Sequence, residues 1–109
     1  MSRSLEEMTA LVAQVSDTYA RLFDIDRNDD WLILKLQEEL GELTAEHLRL
    51  SSRGRLKGQS VAEIAQARDD EAADLLAMLL LYAKRHDIDL EAALERKWFS
   101  YLRPENADR

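Results

Sequence analysis

The chain is organised around two stretches, Glu38-Glu39-Leu40-Gly41-Glu42 and Glu71-Ala72-Ala73-Asp74. Each stretch holds two carboxylates spaced three residues apart: Glu39 with Glu42, and Glu71 with Asp74. On an α-helix this spacing places both side chains on the same face. Two such helices, packed with these faces together, would form a cluster of four carboxylates.

The second pair of acids lies in a predicted packing seam. The seam has the three-then-four spacing of residues that face a neighbouring helix, and it comprises Ala67, Glu71, Asp74, Met78 and Leu81. Ionised groups in such a seam are unfavourable unless a positive charge compensates them. Like charges held close also raise one another's pKa values. Hard divalent cations take oxygen ligands, so the two pairs predict a Mg2+ site, with Mn2+ as a substitute.

The composition indicates one globular domain covering 1–109. Of its 109 residues 46% are hydrophobic, which suffices for one modest core. Cysteine is absent, which excludes disulfides, thiolate zinc sites and cysteine nucleophiles. No secretory signal is evident, and the longest apolar run, 72–83, contains Asp74 and is too short to span a bilayer. We therefore expect a cytoplasmic protein without membrane contact.

The charge restricts the class of partner. A formal net charge of -7 argues against binding of nucleic-acid polymers, because neutralising their phosphates requires a basic surface. A small phosphorylated substrate stays compatible with this charge, because bound metal ions invert the local field.

The chain is predicted to be all-α, a four-helix up-and-down bundle-like fold. It has only three Gly and one Pro, and no window alternates with the period of a strand. The predicted helices run from Leu5 to about Phe23, from Trp31 to Leu50, from after Ser60 to about His86, and from Leu90 to Pro104. Their predicted caps are the capping box Ser4/Glu7, Asp29 or Asp30, the capping box Ser60/Glu63, and Asp89. The tail 104–109 is expected to fray.

The second helix carries an apolar stripe that is expected to pack. Its members are Ile33, Leu36, Leu40, Leu43, His47 and Leu50. At about 100° per residue, Glu39, Glu42 and Glu46 fall on the flank of this stripe. Gly41 is unfavourable in a helix interior by roughly 1 kcal/mol relative to Ala, which suggests close approach of another backbone or a ligand.

Cations are concentrated in one predicted loop. The loop, 51–59, carries Arg53, Arg55 and Lys57. It is either solvated or closes over phosphate oxygens. Lys97 lies on the apolar side of the last helix, where it either snorkels to water or points into the acidic groove.

A di-iron or di-manganese centre is an alternative use of a carboxylate bundle. Its usual helical motif is Glu-x-x-His on two helices. No acid of this chain has His three residues later, which disfavours that centre.

The double motif resembles that of the MazG-like nucleoside triphosphate pyrophosphohydrolases, an all-α superfamily that includes dimeric dUTPases and phosphoribosyl-ATP pyrophosphohydrolases. The family pattern Glu-Glu-x-x-Glu, a spacer, then Glu-x-x-Asp reads here as Glu38, Glu39, Glu42, Glu71 and Asp74. The segments 36–43 and 70–76 look like the family's metal-binding helices, and 88–97 looks like the start of its Lys-bearing last helix. The likeness covers 31–103. Where the family usually has Asn after that Lys, this chain has Trp98-Phe99-Ser100-Tyr101.

The resemblance implies Mg2+-dependent hydrolysis of a nucleoside triphosphate between the α and β phosphates, giving the monophosphate and pyrophosphate. Mg2+ would be held by Glu39, Glu42, Glu71 and Asp74. Glu38 would bind metal or activate water. The substrate would be held by Lys97, Arg53, Arg55 and Trp31, the last contacting the base.

The resemblance also implies a homodimer or homotetramer whose pockets use residues from more than one subunit. Two other functions stay open at this point. One is a phosphoribosyl-ATP pyrophosphohydrolase-like activity. The other is a non-enzymatic helical interaction module whose acids bind a basic protein.

Overall fold

The computed structural model describes residues 2–103, and within this range the chain forms four α-helices and no strand. The helices are α1 (Leu5–Phe23), α2 (Asp29–Leu50), α3 (Val61–Arg85) and α4 (Leu90–Lys97), followed by a 3-10 helix (Phe99–Leu102). The all-α prediction is thereby confirmed. None of the helices in 2–103 combines the length and the apolar content that a bilayer crossing requires.

Side-chain caps fix where three of the helices begin. Ser4 and Ser60 each accept a hydrogen bond from the backbone N–H three residues later, and Glu7 and Glu63 bond back to the cap residue. Both predicted capping boxes are therefore present. Asp89 caps α4, as predicted.

The start of α2 differs from the prediction. The helix begins at Asp29 rather than Trp31, and its cap is Asn28 rather than Asp29 or Asp30. The Asn28 side chain accepts a hydrogen bond from the Trp31 backbone N–H at 2.8 Å. Asn and Asp are about equally good caps, so residue type alone did not distinguish Asn28 from the neighbouring acids.

The end of α4 was also predicted incorrectly. The α-helix stops at Lys97 and the chain continues as a 3-10 turn to Leu102. Ser100 is buried and donates its hydroxyl to the Arg96 carbonyl, which satisfies one acceptor at the end of α4. Pro104 and the tail that was expected to fray lie outside the described residues.

The main interface of the fold joins α2 to α3, which form an antiparallel hairpin, and α1 packs against α3. Apolar residues of all three helices make the core: Ala20, Leu32, Ile64, Leu80, Leu81 and Ala83. Because most of this core comes from α3, that helix is the centre of the fold.

Helix α2 buries a different face from the one predicted. Its buried residues are Leu32 and Glu39, whereas Ile33, Leu40 and His47 are exposed. The predicted stripe and the observed face share Leu36 and Leu43, both of which are half-buried. The apolar pattern was therefore compatible with two rotations of the helix, and the structure has the one that turns the acids inward.

Arg49 shapes the loop between α2 and α3. Its guanidinium donates to both Glu46 carboxylate oxygens at 3.0 Å. It also donates to the carbonyls of Arg55 and Leu56 at 2.7 and 2.6 Å. The predicted loop is thus confirmed, and its backbone wraps around one buried cation.

Close approach occurs at Gly54 rather than at Gly41. A Cβ on Gly54 would lie 2.8 Å from the Arg49 Cγ, whereas a Cβ on Gly41 would meet nothing within 4 Å. The backbone of this chain therefore does not closely approach Gly41, and the alternative of a ligand contact there stays a prediction.

The core assignment predicts a large loss of stability for Ile64→Ala. Ile64 is 0% exposed, so removing its side chain leaves a cavity and should lower the free energy of unfolding by about 2–4 kcal/mol. Val61, one turn earlier, is 68% exposed, and Val61→Ala should change it by less than about 0.5 kcal/mol. Urea denaturation of both variants tests this. Equal losses would contradict the assignment.

Candidate metal centre

Three carboxylates meet at the middle of the α2–α3 interface. Glu39 and Glu42 come from α2, and Glu71 comes from α3. One carboxylate oxygen of each lies within 4.8 Å of the other two. The predicted pairing of the two acidic stretches across a helix interface is therefore present.

Two oxygens of this cluster are buried without a hydrogen-bond partner. Glu39 is only 8% exposed, and its Oε2 and the Oε2 of Glu71 have no partner among the described residues. Buried polar atoms in folded proteins are almost always paired, and an unpaired buried carboxylate is strongly unfavourable. A proton or a bound cation would satisfy both atoms.

The arrangement fits a hard divalent ion. Ligands on opposite sides of Mg2+ are about 4.2 Å apart, because each Mg–O bond is 2.0–2.1 Å. Adjacent ligands of an octahedral Mg2+ are about 2.9 Å apart, so the three oxygens, which lie within 4.8 Å of one another, would move closer together on binding one ion. The donors are all carboxylate oxygens, which suit Mg2+ or Mn2+ better than softer metals.

Burial and the neighbouring acids raise the pKa values of Glu39 and Glu71. Burial, hydrogen bonding to Glu42 and the negative charges of Glu42, Asp74 and Glu39 raise the pKa of Glu71 to about 7. Burial and then the charge of Glu42 also raise the pKa of Glu39 above its ordinary value. In the absence of a metal, the cluster therefore holds protons near neutral pH.

Asp74, the fourth predicted ligand, lies at the edge of the cluster. It is exposed, and it is not one of the three residues whose oxygens lie within 4.8 Å of one another. Its charge nevertheless acts on both Glu39 and Glu71. The structure thus assembles three of the four predicted ligands and places the fourth beside them.

Lys35 forms an ion pair with Glu38, next to the cluster, and the sequence analysis did not predict a role for it. Its Nζ lies 3.2 Å from Glu38 Oε2. Burial favours the neutral amine, but the Glu38 hydrogen bond and the charges of Glu38, Glu39 and Glu42 outweigh it, so the pKa of Lys35 is raised. The sequence contained one indication of this contact, because Lys35 precedes Glu38 by three residues and Glu39 by four, and such residues are neighbours on a helix.

A cavity of about 740 Å³ opens beside the cluster. Its polar and charged lining residues are Ser16, Arg27, Lys35, Glu39 and Asp74, and its aromatic rings come from Trp31 and Tyr19. Most of the remaining wall is apolar, formed by Leu11, Val12, Val15, Ala20, Ile25, Ala77, Met78 and Leu81. Trp31, the predicted base contact, therefore lies in the same cavity as two of the carboxylates.

The other predicted substrate residues lie elsewhere. Arg53, Arg55 and Lys97 are exposed, and none of them is among the residues that line the cavity. The loop that carries the two arginines follows Leu50, about 12 Å along α2 from Glu42. Within one chain, these cations are therefore not part of the cluster.

Comparison with protein-family models, with curated proteins and with solved structures finds no match for this chain.

The raised pKa of Glu71 predicts that the metal-free protein loses stability as pH rises. In the folded state Glu71 holds a proton up to about pH 7, whereas its ordinary pKa, taken for the unfolded chain, is 4.5. Proton binding therefore stabilises the folded state below pH 4.5, and this stabilisation is lost as the pH rises from 4.5 to about 7. With EDTA present, the free energy of unfolding should fall by about 1 kcal/mol between pH 5 and pH 8, after allowance for solvent screening.

Glu71→Gln should remove most of this fall, because the amide does not titrate. Glu95→Gln, which changes an exposed residue of α4, should retain it. Denaturant unfolding at several pH values measures the difference. If the free energy of unfolding fell with pH as steeply in Glu71→Gln as in the wild type, the assignment would be contradicted.

Proposed function

We propose that this chain is a Mg2+-dependent nucleoside triphosphate pyrophosphohydrolase, which cleaves the α–β phosphoanhydride to give a monophosphate and pyrophosphate. The observation that carries this proposal is Glu39, a buried carboxylate with an unpaired oxygen that lies beside Glu42 and Glu71. The order and spacing of these acids resemble the double motif of the MazG-like hydrolases. The geometry and the resemblance support the same ion and the same ligands.

The proposed roles follow from the positions of the acids. Glu39, Glu42 and Glu71 would hold the ion, with Asp74 as a further ligand on the cavity side. Bound Mg2+ neutralises phosphate charge and acts as a Lewis acid toward phosphoryl oxygens. Glu38, more than half exposed at 53%, would accept a proton from the water that attacks phosphorus.

The cavity supports a nucleotide-sized substrate. Its volume of about 740 Å³ lies within the roughly 300–1,000 Å³ that small-molecule sites occupy. The rings of Trp31 and Tyr19 offer surfaces on which a base would stack. Lys35 lies between these rings and the acids, where it would face phosphate oxygens.

The other predicted substrate-binding cations, Arg53, Arg55 and Lys97, would act in a homo-oligomer. Val15 and Leu22 on α1 are 70% and 73% exposed, and the radius of gyration is 17.3 Å, compared with about 13 Å for a compact chain of this length. These features favour a homodimer or homotetramer that covers α1. Arg53, Arg55 and Lys97 would then bind the triphosphate across a subunit boundary.

The exposed apolar surface also fits a non-enzymatic helical interaction module. That function predicts no pyrophosphate release from any nucleotide, and binding to a basic protein that weakens with salt whether or not Mg2+ is present. A phosphoribosyl-ATP pyrophosphohydrolase would use the same acids. A screen of canonical and damaged nucleoside triphosphates together with phosphoribosyl-ATP, with pyrophosphate as readout, distinguishes these three functions.

On the best substrate from that screen, Glu71→Gln should reduce pyrophosphate release at least about 100-fold, because one charged ligand of the ion is lost. Circular dichroism should show unchanged helical content. Glu95→Gln changes the same side-chain type on α4 and should retain wild-type turnover. Retained turnover in Glu71→Gln would refute the metal role of this residue.

A further inference from the structure

Lys35 contacts the acids of α2 and also lines the cavity. Its ammonium lies 3.2 Å from Glu38 Oε2, and the charges of Glu39 and Glu42, one and two turns further along α2, act on it. It also lines the cavity that Glu39 borders. One flexible cation therefore stands beside the same negative charge that a divalent ion would neutralise.

The ion pair of Lys35 is of a kind that is easily exchanged. Partly exposed pairs of this type contribute little net stability, because screening and side-chain entropy offset the attraction. The pair leaves the Glu39 Oε2 and Glu71 Oε2 atoms without a hydrogen-bond partner. Lys35 thus lowers the negative potential of the cluster without satisfying its buried atoms.

In the same conformation the Lys35 ammonium also contacts an aromatic ring of α2. The Lys35 Nζ is 5.8 Å from the centroid of the Trp31 ring, within the range of a cation–π contact. Rotation of the side chain toward Trp31 would move the charge away from Glu38 and toward the cavity. The residue can therefore withdraw from the acids without becoming fully exposed.

We infer that Lys35 is the resident counter-ion of the carboxylate cluster and that an incoming divalent ion displaces it. This inference rests on the metal role proposed for Glu39, Glu42 and Glu71. Lys35 acts as a positioning residue that limits metal affinity, because the divalent ion must compete with a positive charge that is already present.

The test is titration of metal-free protein with Mn2+ in a calorimeter at pH 8, above the pKa of about 7 of Glu71. Lys35→Met should bind Mn2+ about three- to tenfold more tightly. A charge of +1 about 6 Å from a charge of +2 in water-like surroundings weakens the binding constant about tenfold. Lys35→Arg keeps the charge and should bind as the wild type does. Damage to the fold would weaken Mn2+ binding, so a gain in affinity cannot result from misfolding of the variant.

Lys84→Met is the matched control. It removes the same charge from α3 at a point ten residues beyond Asp74, about 15 Å along the helix, and should leave Mn2+ affinity unchanged. Equal gains in Lys84→Met and Lys35→Met would overturn the inference, because the effect would then reflect net charge alone. Unchanged or weaker binding by folded Lys35→Met would also overturn it.

The failures of the two proposals are distinguishable. If the wild-type protein binds no Mn2+, the proposed metal role fails and the inference fails with it. If it binds Mn2+ and Lys35→Met binds more tightly, the inference stands even when no nucleotide is hydrolysed. If pyrophosphate is released and Lys35→Met shows no gain, only the counter-ion role is lost.

Discussion

Negative charge buried between α2 and α3 is the constraint on which the rest of the structure depends. Glu39 occupies a core position, 8% exposed, on the helix that packs most extensively on α3. An apolar residue there would make a more stable interface, because burying a carboxylate without a partner is strongly unfavourable. We propose that a cation binds at this position and that the facing sides of the two helices would hold it in place.

If the cluster binds metal as proposed, three kinds of positive charge would compete for it. Protons are retained near neutrality, since the pKa of Glu71 is raised to about 7. The ammonium of Lys35 lies at the edge of the acids. A divalent ion, which carries the highest charge and can contact several oxygens at once, would replace both. Stability, metal affinity and pH dependence are consequently linked through the same few side chains.

Short-range sequence signals predicted much of this fold, but they did not predict how α2 is rotated about its axis. The capping boxes at Ser4 and Ser60 and the acid spacings depend on residues within one turn, so they were readable from the chain. The rotation of α2 depends on which face meets α3, and Leu36 and Leu43 suit either of two faces. Lys35 was missed because its importance comes from the Glu39 environment, which forms only after the helices pack.

The most direct test is an anomalous difference map at the manganese edge, from a crystal grown with Mn2+. The account predicts a peak within bonding distance of carboxylate oxygens from Glu39, Glu42 and Glu71. Well-ordered side chains at these positions, with no peak among them, would contradict it.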